Sequence, residues 1–343
     1  MPTINDVAKL AGVSKVTVSR VINNSPSVRE ETIKKVNDAI QKLKFRPNMV
    51  AKMLVTNRSQ TIAYIMVNIS DPFHNMVSKG IESVCYKKGY ITIACDSYSK
   101  NREIEYINML VDRKIDGAIF HHHDITEKQV SELLEAGVKC VMIDNETDIA
   151  SASSVNTNNY KGGYMAGDYL ISLGHTRIAC MHGVMERPVG ENIEYEDTYQ
   201  FNIWKERTKG FLDALQVNGL EPTHMFQGNG LNNCAAKYAE IAVKKLSNCD
   251  EQPTAIYCEN DIMAVATLSG LQERGIKVPN EIAIIGHDGL DLCRIIHPYI
   301  TTIDQHRYNI GFHAADLLIE IIEGDDNVHK LILDPELVVG ETT

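Results

Sequence analysis

The chain has 343 residues, 44% of them apolar and 23% charged, which is ordinary for a globular protein with two or three cores. No apolar run approaches the roughly 18 residues of a membrane span, and we expect no secretory signal, because the N-terminus lacks a basic region followed by an apolar one. The eight cysteines are scattered without a C-x-x-C pair, so we expect reduced thiols and a cytoplasmic location.

Charge divides the sequence into a basic head and an acidic body. Residues 1–60 contain eleven Lys and Arg against four Asp and Glu, whereas the rest contains 23 basic and 41 acidic residues. This asymmetry is typical of a protein that contacts a polyanion through one end only.

Two capped helices are predicted at the start of the head. Thr3 followed by Asp6 is a capping-box pattern and predicts a helix through about Ala11. A glycine then allows a tight turn, and Ser14 can cap a second helix over roughly 15–23.

Ser27 and Glu30 repeat the capping pattern before a third helix. Its apolar residues recur at helical spacing and predict one buried stripe, made of Ile33, Val36, Ile40 and Leu43. Helix, short turn, helix and packing helix is the layout of a helix-turn-helix. The alternative is a three-helix packing module with an ordinary charged face.

The second helix carries side chains suited to DNA. Lys15 and Arg20 fit the acceptors of guanine, and Val16 fits a thymine methyl group. Thr17 and Ser19 are better suited to phosphate.

A short connecting segment follows the third helix. Pro47 ends that helix, and residues 48–54 form a helical stretch too short to be stable alone. We expect it to order when it docks on DNA and on a partner chain.

The head sequence, TINDVAKLAGVSKVTVSRVINNSPSVREET followed by RPNMVAKML, strongly resembles the lactose, galactose and purine repressor family. The resemblance is dense over residues 3–58 and looser to the C-terminus. It implies a hinge helix in the minor groove, with Leu54 as the wedge that opens a base step and Lys52 where the family commonly has Arg. The expected DNA-contacting residues are Thr3, Ser14, Lys15, Val16, Thr17, Ser19, Arg20, Asn23, Met53 and Leu54.

Apolar runs alternate with amphipathic segments through the body and predict parallel α/β sheets. The expected strands are Ile62–Ile69, Ile91–Cys95, Ala118–Phe120, Cys140–Ile143, Arg177–Met181, Met225–Gly228, Ala255–Cys258 and Ile282–Gly286. An internal repeat supports two similar lobes, because DGAIFHHHD (116–124) matches PTAIYCEND (253–261) and VMIDN (141–145) matches IIGHD (284–288).

Ligands of open α/β sheets bind beyond the carboxyl ends of the strands. The acidic residues at predicted strand ends should therefore face a shared cleft, and they are Asp124, Asp144, Asp261 and Asp288. Ser70, Asp71 and Phe73 follow the first strand and are further candidates. Any one of these carboxylates has the alternative role of a helix cap.

The family resemblance implies further effector contacts at Arg207, Asn260, Asp288 and Gln305. His287 departs from the family, which usually has Tyr or Phe there. Residues 185–206 look longer and more aromatic than the usual loop, and they include Trp204. This segment fits either a stacking wall for a sugar or a surface lid.

The run of histidines at 121–123 does not predict a metal site, because successive strand residues point to opposite faces. No Walker, dinucleotide-binding or hydrolase motif occurs, so we expect no cofactor and no enzyme activity. An enzyme acting on phosphosugars is therefore disfavoured, and a secreted solute-binding protein is disfavoured by the head.

We expect an α/β protein with a helix-turn-helix head (1–46), a hinge (47–59), a first lobe (60–160 and 291–323) and a second lobe (161–290 and 324–343). The expected function is that of a transcriptional repressor, which binds palindromic operator DNA as a homodimer and is controlled by a sugar in the inter-lobe cleft. The alternatives within this class are a nucleobase and a protein coregulator.

Overall fold

The computed structural model describes residues 2–23, 25–46, 53, 56–97, 100–121, 125–144, 149–182, 202–227, 243–244, 246, 249 and 251–343. The chain forms two compact units, the head (Met1–Ser59) and the body (Gln60–Thr343). None of the described helices is long and apolar enough to cross a membrane.

The described part of the head contains the helices α1 (Ile4–Ala11), α2 (Lys15–Ile22) and α3 (Glu30–Leu43). The predicted capping box is confirmed, because the Thr3 hydroxyl accepts the N–H of Asp6 while the Asp6 carboxylate accepts the N–H of Thr3. Ser14 caps α2 as predicted and accepts the N–H of Thr17 at 3.1 Å.

The start of α3 differs from the prediction. The helix begins at Glu30, and its cap is Arg29, whose side chain makes no capping hydrogen bond. Ser27 lies two residues before that cap, and its hydroxyl is 2.9 Å from the hydroxyl of Ser25. The assignment of a capping role to Ser27 was therefore wrong.

The predicted apolar stripe of α3 lies inside the head. Val36 is fully buried, while Ile33, Ile40 and Leu43 are partly buried against the same core. The other buried members of this core are Val7, Ala8, Val18, Val21 and Ala39. The three helices therefore share one small apolar core.

The body contains two sheets. The strands are β1 (Thr61–Met66), β2 (Ile91–Asp96), β3 (Gly117–His121), β4 (Lys139–Ile143), β5 (Ser153–Thr157), β6 (Ile178–His182), β7 (His224–Gln227), β8 (Ala255–Cys258), β9 (Ala283–Asp288), β10 (Thr301–Asp304), β11 (Lys330–Leu333) and β12 (Glu336–Val338). The first sheet has the order β11-β5-β4-β3-β1-β2 and the second the order β12-β10-β9-β8-β6-β7. Neighbouring strands are parallel, except that β12 is antiparallel to β10.

Helices alternate with these strands and flank the sheets. The described ones are α4 (Pro72–Lys88), α5 (Lys100–Asp112), α6 (Glu127–Glu135), α7 (Asn159–Ser172), α8 (Asn202–Val217), α9 (Asp261–Glu273) and α10 (Arg307–Glu323), with a 3₁₀ turn at Asp291–Arg294. The central strands β3 and β9 are buried along their whole length, as expected for parallel strands covered on both faces.

Each of the eight predicted strands is present, with ends that differ by a few residues. Four further strands, β5, β10, β11 and β12, were not predicted. Their sequences SSVNT and TTID are largely polar, and KLIL and ELV are short, so none of them shows the long apolar run of a central strand.

Two of these strands, β10 and β11, correct the expected division into lobes, whereas β5 and β12 lie in the lobes that were expected for them. The first lobe was expected to contain 291–323, but β10 lies within that range and belongs to the second sheet. The second lobe was expected to contain 324–343, but β11 pairs with β5 in the first sheet. Each sheet therefore takes an edge strand from the last part of the chain, and the peptide passes from one lobe to the other three times.

The internal repeat corresponds to the strand order. The repeated segments contain β3 and β8, which hold the same place in their sheets, and β4 and β9, which do so as well. The two sheets are therefore two copies of one arrangement, as the repeat predicted.

Both lobes also contain a close crossing of two helices at glycines. In the first lobe, a Cβ atom at Gly311 of α10 would overlap the carbonyl oxygen of Val77 in α4. In the second, a Cβ atom at Gly163 of α7 would overlap the carbonyl oxygen of Arg207 in α8. Glycine is required at both places because the two backbones are in contact.

Candidate functional sites

The exposed face of α2 carries the side chains that were predicted to read DNA. Lys15, Val16 and Arg20 are exposed, and Thr17 and Ser19 are partly exposed. Val16 keeps 59% of its surface exposed, on the same face as the exposed cations Lys15 and Arg20. On the opposite side of the helix, Val18 and Val21 are buried in the core of the head.

The other head residues that were predicted to contact DNA differ in how far their side chains are exposed. Thr3 is exposed, and its hydroxyl donates to the Asp6 carboxylate at 2.8 Å. Asn23 is exposed at the C-cap of α2, and Met53 is partly buried. Leu54 lies outside the described residues, as do Pro47 and Lys52.

In the body, Arg207 forms the centre of a buried polar network. Its side chain is only 3% exposed. It donates to the Asn159 side-chain oxygen at 2.8 Å, to the Glu259 carbonyl oxygen at 2.5 Å and to the Asp288 carboxylate at 3.0 Å. A guanidinium group has five N–H donors in a fixed plane, so these contacts fix both its position and its orientation.

Asp288 receives two donors on one carboxylate oxygen. Arg207 donates to Oδ1, and the Gln305 amide donates to the same atom at 2.6 Å. Burial raises the pKa of Asp288 to about 7; Arg207 opposes this shift, whereas the nearby carboxylates of Asp261 and Asp71 add to it. The Gln305 side-chain oxygen is buried and accepts no hydrogen bond from the described residues.

A helix crossing places Arg207 beside the strand ends. Gly163 of α7 lies against the backbone of Arg207, and Gly210 of α8 lies against the carbonyl oxygen of Tyr160. Because neither glycine has a side chain, α8 approaches α7 closely, and Arg207 comes within reach of Asn159, the first residue of α7.

Asp144 contributes a carboxylate from the first lobe. It directly follows β4 with a φ of 44°, and it accepts the N–H of Thr157 at 2.6 Å. Burial raises the pKa of Asp144 to about 6, while the Thr157 N–H and the positive charge of Arg207 act against that shift. The influence of Arg207 indicates that Asp144 and the network of the second lobe lie near each other.

The first lobe adds a cluster of rings at the carboxyl ends of its strands. The Tyr64 hydroxyl lies 2.9 Å from Nδ1 of His74 and 2.6 Å from Nδ1 of His121. Since one hydroxyl has one proton, it donates to one imidazole and accepts from the other. Phe73 packs edge-on against both imidazole rings, with centroid distances of 6.0 and 5.6 Å.

Three predicted effector residues have local structural roles. Asp71 caps α4 and accepts the N–H of Phe73 at 2.9 Å, and Asn260 caps α9 and accepts the N–H of Met263 at 2.7 Å. Ser70 is exposed, and its N–H donates to the side chain of Asn68. The helix-cap alternative therefore applies to Asp71 and to Asn260.

Asp261 does not face an open cleft. It is fully buried, and its carboxylate accepts the N–H of Leu290 at 2.6 Å and the hydroxyl of Thr302 at 2.6 Å. Its position at the start of α9 turns it towards β10 and the loop after β9. The expectation that Asp261 lines the cleft was wrong, because these internal contacts use its carboxylate.

His287 is buried next to the network. Its Nδ1 lies 2.9 Å from the Tyr257 hydroxyl, and its Nε2 has no hydrogen-bond partner among the described residues. Burial and the charge of Arg207 lower its pKa well below the usual value, so the imidazole is neutral. Its ring packs against Gly162, where a Cβ atom would overlap it.

Some predicted features lie outside the described residues. These are Asp124, residues 185–201 of the 185–206 segment, and the side chain of Trp204. Within the described part of the chain, no group of three His, Cys, Asp or Glu side chains is placed to hold a metal ion.

Sequence reasoning missed several members of the network. Asn159 orients the Arg207 guanidinium, and Glu259 supplies the carbonyl oxygen and accepts the Thr208 hydroxyl through its buried carboxylate. Glu259 stands inside the repeated motif PTAIYCEND, directly after a predicted strand, so the repeat contained a signal for it. Asn159 gave none, because the strand before it was not predicted.

A three-helix head with an exposed basic face and a body of two lobes with polar strand ends together define a class, the ligand-responsive DNA-binding regulators. The comparisons with known proteins agree with that class. Residues 3–48 match the model of bacterial regulatory proteins of the lacI family, and residues 168–343 match the periplasmic binding protein-like domain.

Relatives and solved structures cover the whole chain. The HTH-type transcriptional repressor PurR of Vibrio atlanticus (strain LGP32) is 34% identical over 100% of this chain and 98% of its own length. A complex of the transcriptional regulator CelR with cellobiose has a TM-score of 0.70 and 27% identity, with both chains fully covered. A lac repressor dimer bound to operator and the anti-inducer ONPF has a TM-score of 0.83 over 100% of this chain and 99% of that one, but at 23% identity it shows the fold alone.

The chain belongs to the lacI family of bacterial regulatory proteins. It is a DNA-binding transcriptional regulator and not an enzyme.

Proposed function

We propose that this protein is a transcriptional repressor that binds a palindromic operator as a homodimer and is controlled by a small effector between the lobes of its body. The observation that carries the proposal is the buried network of Arg207, Asp288 and Gln305 at the strand ends. Such a network is costly to bury, and in an open α/β fold ligands bind at this edge of the sheets. The name of the full-length relatives supports repression.

The DNA half of the proposal rests on the exposed face of α2. Lys15 and Arg20 would donate to base edges in the major groove, with Val16 against a thymine methyl group. Thr17 and Ser19 would bind phosphates and set the register. A protein that acts on operator DNA in a bacterium works in the cytoplasm.

The homodimer follows from the symmetry of such an operator, since one head reads one half-site. The body has an edge strand that a second copy would cover. β2 is an edge strand of the first sheet, and its Ile91 and Ile93 are 69% and 41% exposed. Unpaired strand edges with apolar side chains are normally covered, and a second copy of this chain would cover this one.

A nucleobase is our first candidate for the effector. Relatives named PurR match the chain over its full length at 34% identity, a name that points to purines, whereas the cellobiose-bound regulator is 27% identical. Asp288 and Arg207 offer an acceptor and a donor side by side, and Phe73 offers an aromatic ring. A planar base with ring N–H and carbonyl groups complements this set, and a sugar is the second candidate.

The test combines ligand screening with DNA binding. Nucleobases and sugars are screened for a rise in melting temperature, and operator sites are selected from random palindromic DNA. Each hit is then added to a fluorescence-anisotropy titration of the selected DNA. We expect a nucleobase to raise the melting temperature and to change operator affinity about tenfold.

Two variants make this test specific. Lys15→Ala should weaken operator binding and leave effector binding intact. Arg207→Met should weaken effector binding and leave operator binding intact. A ligand that binds the body while operator affinity stays unchanged would contradict effector control.

A further inference from the structure

Arg307 occupies an unusual position between the two lobes. It is the first residue of α10, which packs on α4 and the first sheet. Just before Arg307, the chain leaves β10 of the second sheet and crosses to the first lobe. Its side chain is only 6% exposed. A buried guanidinium group needs partners for its donors, and those partners come from both lobes.

The stronger contact of Arg307 is to the second lobe. Its Nη2 donates to the carbonyl oxygen of Gly289 at 2.6 Å and lies 3.6 Å from the Asp291 carboxylate. Gly289 follows Asp288 in a tight turn with a φ of 70°, and a Cβ atom there would overlap Asp304. The turn cannot shift easily, so Arg307 is joined to a rigid part of the second lobe.

The weaker contact of Arg307 is to its own lobe. Its Nη1 donates to the carbonyl oxygen of Pro72 at 3.4 Å. Pro72 is the first residue of α4, and it stands between Asp71 and Phe73. This contact holds the guanidinium group beside the loop that carries Phe73, while Nη2 extends to the loop that carries Asp288.

The charge of Arg307 also acts on the second lobe. It lowers the pKa values of Asp261 and Asp288 and so opposes the effect of their burial. Moving the lobes apart would remove a cation from two buried carboxylates and leave the guanidinium group without its shortest hydrogen bond. Separation of the lobes is therefore unfavourable on both sides of the contact.

We propose that Arg307 is an inter-lobe latch: it is anchored in the first lobe, holds the turn at Gly289 in the second, and keeps the lobes together before any effector binds. The latch itself requires only the contacts described above. Its consequence for regulation, that the cleft is already shaped when the effector arrives, rests on the proposed function.

The chain offers a matched control. Arg307 lines a cavity of about 200 Å³ together with Met76, Asp291, Tyr308 and Arg294. Arg294 is exposed on the 3₁₀ turn, and no described hydrogen bond or ion pair links it to the first lobe. Arg294→Met removes a cation from the same cavity without touching the latch.

The experiment compares ligand-free wild-type protein with Arg307→Met, Arg307→Lys and Arg294→Met. Hydrogen exchange is followed by mass spectrometry, and the radius of gyration is measured by small-angle X-ray scattering. We expect Arg307→Met to speed exchange of residues 289–294 about tenfold and to increase the radius of gyration, since one charged hydrogen bond opposes this opening. Arg307→Lys can still reach the Gly289 carbonyl and should lie between Arg307→Met and wild type, whereas Arg294→Met should match wild type.

The latch would be overturned if Arg307→Met changed neither the exchange of residues 289–294 nor the radius of gyration. It would also be overturned if Arg307→Met and Arg294→Met had equal effects. If Arg307→Met does not fold, the comparison of Arg307→Lys with wild type decides. A purely structural role would lower the melting temperature without opening the lobes.

A separate measurement addresses the effector. Guanine and cellobiose serve as the nucleobase and sugar probes, and the one that stabilises the wild type should bind Arg307→Met about tenfold more weakly, because closing the lobes then opposes binding. If neither probe stabilises the wild type, the proposed effector classes fail, while the exchange and scattering measurements still test the latch.

Discussion

In the first lobe the strand ends carry a cluster of rings beside the carboxylate of Asp144, whereas in the second they carry a network of charges. Tyr64 joins two imidazoles in the first lobe, with Phe73 against them. In the second lobe, Arg207 joins Asp288 to the backbone of Glu259. One strand arrangement thus supports two chemistries, and a ligand between them would meet an aromatic wall on one side and a polar wall on the other.

The difference also concerns how each wall is held in place. The rings of the first lobe are fixed by packing and by one shared hydroxyl, so each contact contributes modestly. The charges of the second lobe depend on one another, because removing one leaves its partner buried and unpaired. We therefore expect changes in the second lobe to have the larger effects.

The largest effect is expected for Arg207→Met. The substitution keeps an apolar stem but leaves Asp288 without its cation, and it should lower the free energy of unfolding by about 3 kcal/mol. It should also abolish effector binding. Urea denaturation and calorimetry measure the two effects. Arg177→Met is the control, because that side chain is 45% exposed, lies 3.9 Å from Glu251 and donates one exposed hydrogen bond to the Gln252 carbonyl oxygen, so its loss should cost about 1 kcal/mol.

The two glycine crossings allow a matched pair of variants. Gly163→Ala in the second lobe and Gly311→Ala in the first should each cost about 1–3 kcal/mol, because the new methyl group pushes two helix backbones apart. Only Gly163→Ala displaces Arg207, so only this variant should weaken effector binding. Equal losses of effector affinity in the two variants would show that the lobes do not differ in this way.

The pH dependence of the free energy of unfolding, compared between wild type and Asp288→Asn, should report on the Asp288 carboxyl group. The pKa of Asp288 is raised to about 7 in the folded protein from the ordinary value of 3.8, so the folded state binds more protons between these values. The free energy of unfolding should therefore fall as the pH rises from about 4 to 7, by at most about 1.4 kcal/mol per pH unit for one proton. Asp288→Asn should flatten this slope in urea titrations at several pH values. The same slope in both proteins would exclude Asp288 as its source.

The smallest effects are expected for two tyrosine substitutions. Tyr64→Phe removes the hydroxyl that two imidazoles share, whereas Tyr257→Phe removes the partner of His287 alone. We expect losses of about 1 kcal/mol, with the larger one for Tyr64→Phe, and little change in effector affinity. Thermal unfolding provides the measurement, and a larger loss for Tyr257→Phe would reverse the expected order.

Local patterns predicted much of this molecule. The capping box at Thr3, the cap at Ser14 and the buried stripe of α3 depend on residues a few positions apart, and they are present as predicted. The internal repeat also predicted two lobes of one design, because the equivalent strands retain similar sequences.

Contacts between distant residues were less accessible to sequence reasoning. Arg207 contacts Glu259 and Asp288, which lie 52 and 81 positions further along the chain. No local sequence pattern encodes such pairs. Asp261 shows the opposite problem: it stands at a predicted strand end, yet Thr302 and Leu290 take its carboxylate inside the lobe. The polar strand β10, which carries Thr302, was not predicted, and this is why the role of Asp261 was missed.

The three passages between the lobes have a consequence for how the chain is made. The first sheet lacks its edge strand β11 until residue 333 has been synthesised, and the second lacks β12 until residue 338. The ribosome therefore releases nearly the whole body before either sheet is complete, although the head is finished some 280 residues earlier. A product truncated before residue 338 would carry a finished head on a body that lacks at least one edge strand, so a complete body requires synthesis past that residue.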